Sequence, residues 1–488
     1  MEALRGKKLL SAPEKYDVDR TMHRDNRNKL LKEFKETHPN YVPNSVFFFK
    51  GDVTHSIHDG DTEHHFDQEA NFWYLFGVED PDLYGVIEID TGKTTLFCPH
   101  LPKELSMWMT LHDRDHFKNN YDLDDVVYTN ELEDFFKKLN PGMIYFFHGV
   151  DSDSKLTPDL PNFPWLSTYR ADKDVLYPIL CECRVIKSKK EIDLMRVIGQ
   201  VSSDIHVLCM QNAAPGLKEF QLEALYKFAS QSCLGARWLA YQAICGHGQG
   251  CATLHYIDND KTFKDGTLTL CDMGLKFYGY CSDITCTYPV NGKFTQKQKE
   301  IYNAVLDATN QVKAAVKPGV NWGDMHLLAE RVITKHLIQI GIVKQAPLEE
   351  LEEKRIGALF FPHGLGHFLG LRVHDVGGYL PGNPERIMKA GLKSLRTRRD
   401  LKAGMIITVE PGLYFVEYIL RVAKENPEVN GYVNWEKVEE YKEVGGVRIE
   451  DDIVITEDGH EDFTKVPRTV EEIELCMQGK DWRAQPSV

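Results

Sequence analysis

The chain has 488 residues, of which 42% are hydrophobic and 27% are charged, and its formal net charge is −15. This length allows two or three domains, and the composition is that of an ordinary globular protein. The acidic balance argues against nucleic acid or an anionic membrane surface as a partner, because both reward clustered Lys and Arg.

Targeting signals and cysteine usage indicate the compartment. The first residues lack the apolar core of a signal peptide, and no later stretch reaches about 18 uninterrupted apolar residues. The chain has 11 cysteines and no Cys-x-x-Cys pair, a usage that indicates reduced and mostly buried thiols. We therefore expect a cytoplasmic protein with no membrane partner.

The first third of the chain alternates short strand-like runs with one helical patch. The strand-like runs are 45–49, 72–77, 86–89, 94–97 and 143–147, and the helical patch is 131–139. This mixture predicts an α/β N-terminal domain, which we assign to residues 1–180. A polar tract at 55–65 contains four histidines. We interpret it as an exposed loop, although histidine-rich tracts also bind metal.

A second domain is expected at residues 181–488. The Pro-rich segment 157–164 is interpreted as part of the linker that leads to it. The new domain opens with a capping box formed by Ser188 and Glu191. Apolar residues then recur at helical spacing, which predicts a first long helix.

The pattern of helix, Pro-Gly break and second helix occurs twice. Pro215 is matched by Pro318 and Leu225 by Leu328, in both cases at an offset of 103 residues. Strands that carry carboxylates follow each helix pair. We therefore expect an α+β domain with an internal pseudo-two-fold repeat and a site in the crevice between its halves.

The stretch 268–288 predicts an antiparallel hairpin that carries two aspartates. A turn centred between Phe277 and Tyr278 would place Asp272 directly opposite Asp283. Two carboxylates about 5 Å apart repel each other in a sheet. A shared proton or a divalent cation would offset the repulsion; otherwise the two are solvated aspartates at the rim of a hairpin.

Two later strands carry acidic residues into apolar surroundings. The strand 405–409 leads to Glu410, which is held extended because a proline follows it. The strand 447–455 alternates Arg448 and Glu450 with apolar residues. A carboxylate in such a strand is costly unless it is paired or bound to a metal. We interpret Glu410 and Glu450 as the counterparts of the hairpin aspartates.

Two histidines, His363 and His367, lie in sequence between the hairpin aspartates and Glu410, in a run rich in glycine. The glycines make a helix improbable there, but in an extended chain the even spacing points both imidazoles the same way. Four carboxylates with one imidazole suit a hard divalent ion, preferably Mn²⁺, with Co²⁺, Fe²⁺ or Zn²⁺ as alternatives. Four negative ligands balance two such ions, and a pair of ions activates water for hydrolysis of an amide or ester.

The motifs of the chain, taken in order, resemble those of the prolidase branch of the pita-bread metallopeptidases, a family that also includes aminopeptidase P, methionine aminopeptidase and creatinase. They are Leu-Cys-Asp272-Met-Gly, Cys-Ser-Asp283-Ile-Thr, His363-Gly-Leu-Gly-His367, Val-His374-Asp-Val-Gly-Gly, Leu-Arg396-Thr, Thr-Val-Glu410-Pro-Gly, Gly-Val-Arg448-Ile-Glu450-Asp-Asp and Val466-Pro-Arg-Thr-Val-Glu-Glu-Ile. The resemblance extends over nearly the whole chain.

This resemblance implies a fold and an activity. The fold is a creatinase-like and prolidase-like α/β N-terminal domain followed by a pita-bread catalytic domain, in a chain that forms a homodimer. The activity is hydrolysis of Xaa-Pro dipeptides by a hydroxide that bridges two divalent ions. One alternative is an aminopeptidase P that acts on longer Xaa-Pro peptides. An alternative of another class is a pita-bread protein that only binds partners, although such relatives lose their metal ligands.

The resemblance also implies roles for individual residues. The metal ligands are Asp272, Asp283, His367, Glu410 and Glu450, with Asp283 and Glu450 shared by both ions. The substrate-binding residues are Arg396, which clamps the C-terminal carboxylate of the dipeptide, together with His255, His374, Tyr241 and Arg448. The catalytic residues are His363, which stabilises the transition state, and Glu410, which shuttles a proton.

Three positions depart from the pattern of the family. Asp67 stands where relatives often carry Arg, Gly250 replaces a frequent Asn, and Arg372 stands where an acidic residue is usual. None of the three is an implied metal ligand, so the departures bear on substrate preference and on the part that the N-terminal domain plays in the interface, and not on the chemistry.

Overall fold

The computed structural model describes residues 17–483. By their internal contacts these residues form two compact units, one covering Asp17–Glu191 and the other running from Ile192 onwards. The N-terminal stretch considered for a signal peptide lies outside the described residues. No helix within residues 17–483 is both long and apolar enough to cross a membrane.

The first unit is built around a six-stranded mixed sheet. Its elements are α1 (Met22–Thr37), β1 (Val46–Lys50), α2 (Ala70–Phe76), β2 (Tyr84–Glu88), β3 (Thr94–Cys98), α3 (Arg114–Asn120), β4 (Asp125–Tyr128), α4 (Leu132–Leu139), β5 (Ile144–Phe146), β6 (Ala171–Asp172) and α5 (Leu176–Val185). The strand order is β4-β3-β2-β1-β5-β6. The central strand β1 runs antiparallel to β2 and parallel to β5.

Helices cover both faces of this sheet because β1 is apolar on both sides. Successive side chains of a strand point to opposite faces. Phe47 packs edge-on against Phe34 of α1, with ring centroids 4.9 Å apart. Phe48 packs on the other face against Phe136 of α4, with centroids 5.0 Å apart. The predicted α/β character of this unit is confirmed.

The segment 72–77, predicted as a strand from its aromatic residues, belongs to helix α2. The carboxylate of Glu69 caps this helix by accepting hydrogen bonds from the backbone N–H groups of Asn71 and Phe72, each at 2.8 Å. Gly77 ends the helix with a φ of +66°. The two caps satisfy backbone groups at both ends, and they outweigh the strand preference of the aromatic side chains.

The Pro-rich segment 157–164, predicted as part of a linker, packs on the core of the first unit instead. Leu160 and Phe163 contact the apolar cluster that contains Phe48 and Phe136. Burying these side chains is favourable because it removes apolar surface from water. The apolar residues that stand between the prolines therefore make this segment part of the unit.

The second unit combines long helices with short antiparallel sheets. Its elements are α6 (Lys189–Asn212), α7 (Glu219–Leu234), β7 (Trp238–Leu239), β8 (Ile244–His247), β9 (Leu268–Met273), β10 (Leu275–Phe277), β11 (Tyr280–Cys281), β12 (Ile284–Pro289), α8 (Gln296–Ala315), α9 (Trp322–Gln339), α10 (Leu348–Glu353), β13 (Ile406–Val409), β14 (Gly412–Tyr414), α11 (Glu417–Glu425), α12 (Pro427–Asn430), α13 (Trp435–Tyr441), β15 (Gly446–Arg448), β16 (Asp451–Ile455), β17 (His460–Asp462) and α14 (Val470–Met477). The sheets are β12-β9-β8, β11-β10-β7, β13-β16-β17 and β14-β15.

The internal repeat is visible in how the helix pairs α6–α7 and α8–α9 are joined. Gly216 and Gly319, which lie 103 residues apart, adopt φ values of +92° and +84° in the two connections. Such values favour glycine. Lys218 and Asn321, again 103 residues apart, each form an isolated antiparallel bridge to a residue later in the chain. The predicted offset of 103 therefore describes matching structures.

Each half contributes one hairpin whose arms are interrupted. In the first half β9 pairs with β12 and β10 with β11. In the second half β13 pairs with β16 and β14 with β15. The stretch 447–455, predicted as one strand, is therefore two strands in different sheets, with Ile449 and Glu450 between them. The backbone leaves the ladder at these interruptions, where Asp283, Glu410 and Glu450 lie, whereas Asp272 lies within β9.

Candidate metal centre

The two hairpin aspartates lie diagonally across the ladder and not directly opposite each other. Asp272 pairs with Thr285. The turn residues are Tyr278 and Gly279, with φ values of +47° and +80°, the combination found in two-residue hairpin turns. This turn lies one residue later than predicted. Because side chains alternate with a period of two, Asp283 still lies on the same face as Asp272.

Tyr241 joins these two aspartates. Its hydroxyl contacts Oδ1 of Asp272 and lies 2.5 Å from Oδ1 of Asp283. Burial and the two carboxylates raise the pKa of Tyr241 well above its ordinary value, so the phenol keeps its proton. One phenolic proton can be donated to only one of the two carboxylates at a time.

The segment that carries His367 is irregular and packs directly against β13. A Cβ atom at Gly366 would lie 1.9 Å from the carbonyl oxygen of Thr408, so no larger residue fits there. The backbone N–H of His367 donates to Oγ1 of Thr408 at 3.2 Å. The backbone N–H of Thr408 donates to the carbonyl of His367 at 3.0 Å. These contacts fix His367 beside the strand that leads to Glu410.

The His367 imidazole points one nitrogen into the acidic cluster. Its Nδ1 donates to the carbonyl of Phe368 at 3.0 Å. Its Nε2 lies 3.3 Å from Oδ2 of Asp283 and 3.6 Å from Oε1 of Glu410. Burial lowers the pKa of His367, but Asp283 and Glu410 outweigh that effect and raise it. A backbone partner on Nδ1 leaves Nε2 as the nitrogen that can ligate a metal.

Glu450 links the two halves of the unit. Its backbone N–H donates to the carbonyl of Thr285 at 3.2 Å, in an isolated antiparallel bridge. The Thr285 hydroxyl donates to Oε2 of Glu450 at 2.7 Å. Burial, followed by the charges of Asp283 and Glu410, raises the pKa of Glu450 well above its usual range. The carboxylate is therefore held in place but poorly compensated.

These groups fit a divalent cation. Ligand atoms of Asp283, His367 and Glu450 lie within 4.8 Å of one another, and no second group of this kind occurs among residues 17–483. Burial raises the pKa of Glu410 to about 7. Buried carboxylates that raise one another's pKa call for added positive charge, and oxygen donors with one imidazole suit a hard ion. The histidine tract at 55–65 is exposed and belongs to no such group.

Arg448 extends the cluster through a chain of hydrogen bonds. Its Nη2 donates to Oδ2 of Asp272 at 2.5 Å, and its Nη1 donates to the hydroxyl of Tyr414 at 2.9 Å. That hydroxyl lies 2.9 Å from Nε2 of His363, whose Nδ1 donates to the carbonyl of Gly364 at 2.8 Å. Burial, with help from Arg448, lowers the pKa of His363 to about 3, so His363 is neutral near pH 7.

All the site residues predicted from the sequence line one cavity of about 500 Å³. They are Tyr241, His255, Asp272, Asp283, His363, His367, His374, Arg396, Glu410, Arg448 and Glu450. The His374 ring packs edge-on against His367 at 4.5 Å. The three positions that depart from the family pattern do not line this cavity. Its volume lies within the range of small-molecule sites.

Two residues that the sequence analysis missed hold this cluster together. Thr285 hydrogen-bonds Glu450, and it also accepts a hydrogen bond from Nε of Arg448 at 3.1 Å. Tyr414 lies between Arg448 and His363. Strand alternation could have found Thr285, because it lies two residues after Asp283 and therefore shares its face.

Replacing Thr285 by Val should lower the free energy of unfolding by about 1 to 3 kcal/mol, because Oε2 of Glu450 and Nε of Arg448 would lose a buried partner. Urea denaturation of the metal-free protein measures this loss. Thr309→Val is the matched control. Its hydroxyl donates to the carbonyl of Val305 within a helix at 3.0 Å, a bond of little consequence for stability. Equal losses in the two variants would contradict the account.

Two family models match the chain. The model of metallopeptidase family M24 matches residues 193–457, and that of the N-terminal domain of aminopeptidase P matches residues 23–145. Among curated proteins, a human protein named Xaa-Pro dipeptidase is 42% identical over 461 residues, covering 93% of each chain. Its counterpart from Mus musculus is 44% identical over 431 residues, covering 87% of each. A Talaromyces marneffei protein named probable Xaa-Pro aminopeptidase is 36% identical over 441 residues, covering 89% of this chain and 92% of its own.

Solved structures of aminopeptidase P share the fold. The low-pH form of the Escherichia coli enzyme has a TM-score of 0.78 at 28% identity and covers 96% of this chain and all of its own. The Pseudomonas aeruginosa enzyme PepP has a TM-score of 0.77 at 29% identity, covering 96% and 99%. The likeness extends through nearly the whole length of both chains.

Proposed function

The chain belongs to metallopeptidase family M24 and has its pita-bread fold, and from this premise we propose that it is a hydrolase of Xaa-Pro dipeptides. The observation that carries this proposal is the identity of 42–44% to proteins named Xaa-Pro dipeptidase over most of the chain. A cavity that contains an acidic cluster, an imidazole and an arginine supports it.

The metal ligands proposed here are Asp272, Asp283, His367, Glu410 and Glu450. They would hold two divalent ions, with Asp283 and Glu450 shared, and we propose Mn²⁺ because most of the donors are carboxylate oxygens. When bound, such ions lower the pKa of water and polarise a carbonyl. The buried position of these carboxylates, which raises the pKa of Asp283, supports the need for this positive charge.

The other lining residues would bind and orient the dipeptide. The guanidinium of Arg396 would hold the prolyl carboxylate through two parallel hydrogen bonds. His255 and His374 would contact the substrate, and Tyr241 and Arg448 would hold the aspartates behind it. His363, which is neutral near pH 7, would act on the transition state without contributing a positive charge.

Glu410 would carry the proton during hydrolysis. Burial raises its pKa to about 7, while His367 and Arg448 act in the opposite direction. This value belongs to the metal-free protein, and bound divalent ions would lower it. As the proton carrier, Glu410 would accept a proton from water and return it to the leaving nitrogen of proline.

The length of the preferred substrate tests the proposal. We expect Gly-Pro to be hydrolysed with a higher kcat/KM than Gly-Pro-Ala. Arg396 would bind the C-terminal carboxylate of a dipeptide, whereas a third residue would move that carboxylate away from the guanidinium. Steady-state kinetics with both peptides provide the comparison. Faster cleavage of the tripeptide would favour an aminopeptidase P, the activity named for the fungal relatives. No cleavage of either peptide in the presence of Mn²⁺ would favour a non-catalytic binding protein.

We also propose that the chain forms a homodimer. Three neighbouring apolar residues of the first unit, Met107, Trp108 and Met109, are 76%, 79% and 51% exposed, and exposed apolar patches often mark interfaces. Light scattering should then give the mass of two chains of 56.0 kDa, and Trp108→Ser should shift the mass towards one chain. A monomeric mass for the unaltered protein at micromolar concentration would contradict this proposal.

A cytoplasmic location completes the proposal. All 11 cysteines lie within residues 17–483 and are buried thiols, which suits a reducing compartment. Neither nucleic acid nor a membrane surface is proposed as a partner, because the net charge of −15 disfavours both.

A further inference from the structure

The motif Val-Pro-Arg-Thr near Val466 has no part in the proposed reaction, yet its arginine, Arg468, contacts the backbone of the proposed metal ligand Glu450. The Arg468 side chain is 15% exposed and bonds to Asp451, the residue that follows Glu450. The same guanidinium also bonds to the backbone of both hairpins.

Arg468 donates to two backbone carbonyl groups, one in each half of the unit. Its Nη1 donates to the carbonyl of Thr285 at 2.8 Å, and its Nη2 donates to the carbonyl of Glu450 at 2.5 Å. These two residues form the isolated bridge between the first and second hairpins. Glu450 lies between β15 and β16, where the ladder is interrupted. A side chain therefore provides a donor where the regular ladder stops.

Asp451 fixes the orientation of this guanidinium. Its Oδ1 accepts from Nε of Arg468 at 3.0 Å and from Nη2 at 2.5 Å. Its Oδ2 accepts from Nζ of Lys313 at 2.9 Å, and Lys313 also bonds to Asp462. The two cations thus compensate a buried carboxylate, but Arg468 is the one that touches the backbone of Glu450.

We propose that Arg468 is a positioning residue of the metal centre. It holds the backbone of Glu450 and Thr285 in place, and this keeps the Glu450 carboxylate close to Asp283 and His367. This inference rests on the proposed function, in which Glu450 is a metal ligand. A planar guanidinium spans two carbonyls and a carboxylate at once, whereas the compact ammonium of lysine cannot.

The test compares metal affinity in variants that keep the fold. Arg468→Lys retains the charge that Asp451 needs, so it should fold, but it loses one or both carbonyl contacts. Isothermal titration of metal-free protein with Mn²⁺ should show an affinity about 10- to 100-fold weaker than that of the wild type, the range found when groups supporting a ligand are removed. The absorption spectrum of the Co²⁺-loaded protein should change as well, because it reports ligand geometry.

Two further variants separate positioning from general stability. Lys313→Gln removes the other cation on Asp451 without touching the Glu450 backbone. It should lower the melting temperature, yet leave Mn²⁺ affinity within about twofold of wild type. Asp451→Asn loosens the hold on Arg468 and should weaken Mn²⁺ binding by less than Arg468→Lys does.

Wild-type Mn²⁺ affinity and an unchanged Co²⁺ spectrum in Arg468→Lys would overturn this inference and leave the proposed function intact. An equal loss of Mn²⁺ affinity in Lys313→Gln would also overturn it, because the loss of affinity would then follow from lower stability of the protein. If the wild type itself bound no divalent ion, the proposed function would fail and this inference would fail with it.

Discussion

Asp283→Asn is expected to reduce kcat for Gly-Pro by at least about 10³-fold, because the loss of a shared ligand removes several kcal/mol of transition-state stabilisation. Bound Mn²⁺ should fall in parallel. The substitution keeps the shape of the side chain and removes the charge on the group that Tyr241 and His367 contact. Steady-state kinetics and elemental analysis of the same preparation measure the two losses together.

Stability gives an independent reading of the same variant. Burial raises the pKa of Asp283, so the charged form is unfavourable in the metal-free protein. Asp283→Asn should therefore be at least as stable as the wild type without metal, but should lack the rise in melting temperature that added Mn²⁺ causes by binding the native state. Asp265→Asn, at an exposed position before β9, is the matched control. Full turnover by Asp283→Asn after chelation would contradict the account.

Arg396→Met is expected to lower kcat/KM for Gly-Pro by about 10- to 100-fold, the loss expected when a charge-assisted hydrogen bond is removed. The effect should depend on the charge of the substrate. With Gly-Pro amide, which lacks the C-terminal carboxylate, the same variant should differ little from the wild type. The kcat/KM values of the wild type and Arg396→Met on both substrates form a thermodynamic cycle. This cycle isolates the interaction between Arg396 and the carboxylate.

A second arginine two residues away controls for the loss of a positive charge. Arg398 donates through Nη1 to the carbonyl of Glu385 at 3.0 Å, and it does not line the cavity. Arg398→Met should leave the ratio of kcat/KM for Gly-Pro to kcat/KM for Gly-Pro amide unchanged. An equal loss on both substrates in Arg396→Met would place Arg396 away from the carboxylate, and the preference for dipeptides would then need another explanation.

The acidic residues that line the cavity could be predicted, because a carboxylate in an apolar strand is costly unless it is paired or bound to a metal. Asp272, Glu410 and Glu450 each stand in or beside a run of apolar residues, and a buried charge there needs a partner. The repeat with an offset of 103 residues also predicted that both sets of strands belong to one domain. The lining of the cavity contains all of them, together with the histidines and Arg396.

The register of the first hairpin could not be predicted in the same way. Its turn uses Tyr278 and Gly279, both with positive φ, whereas local rules favour Asn, Asp or Gly at the first of these positions. An aromatic residue there gives no signal of a turn. The aspartates nevertheless remained on one face, because moving the turn by one residue shifts the pairing by two and preserves the alternation.

The interruption of the strand 447–455 depends on contacts that are far apart in sequence. The hydroxyl of Thr285 bonds Glu450 across 165 residues, and Arg468 bonds both of their carbonyl groups. An alternating pattern describes only the residues next to one another. It therefore predicts one continuous strand, while the pairing of the two halves makes the backbone change sheets at Ile449 and Glu450.

Metal analysis of protein purified without chelator should find two divalent ions per chain, held by the acidic cluster. Mn²⁺ should restore activity to stripped protein, and bound metal should be clearly lower in Asp283→Asn. Full activity in protein that contains no divalent metal would contradict the proposed two-ion centre.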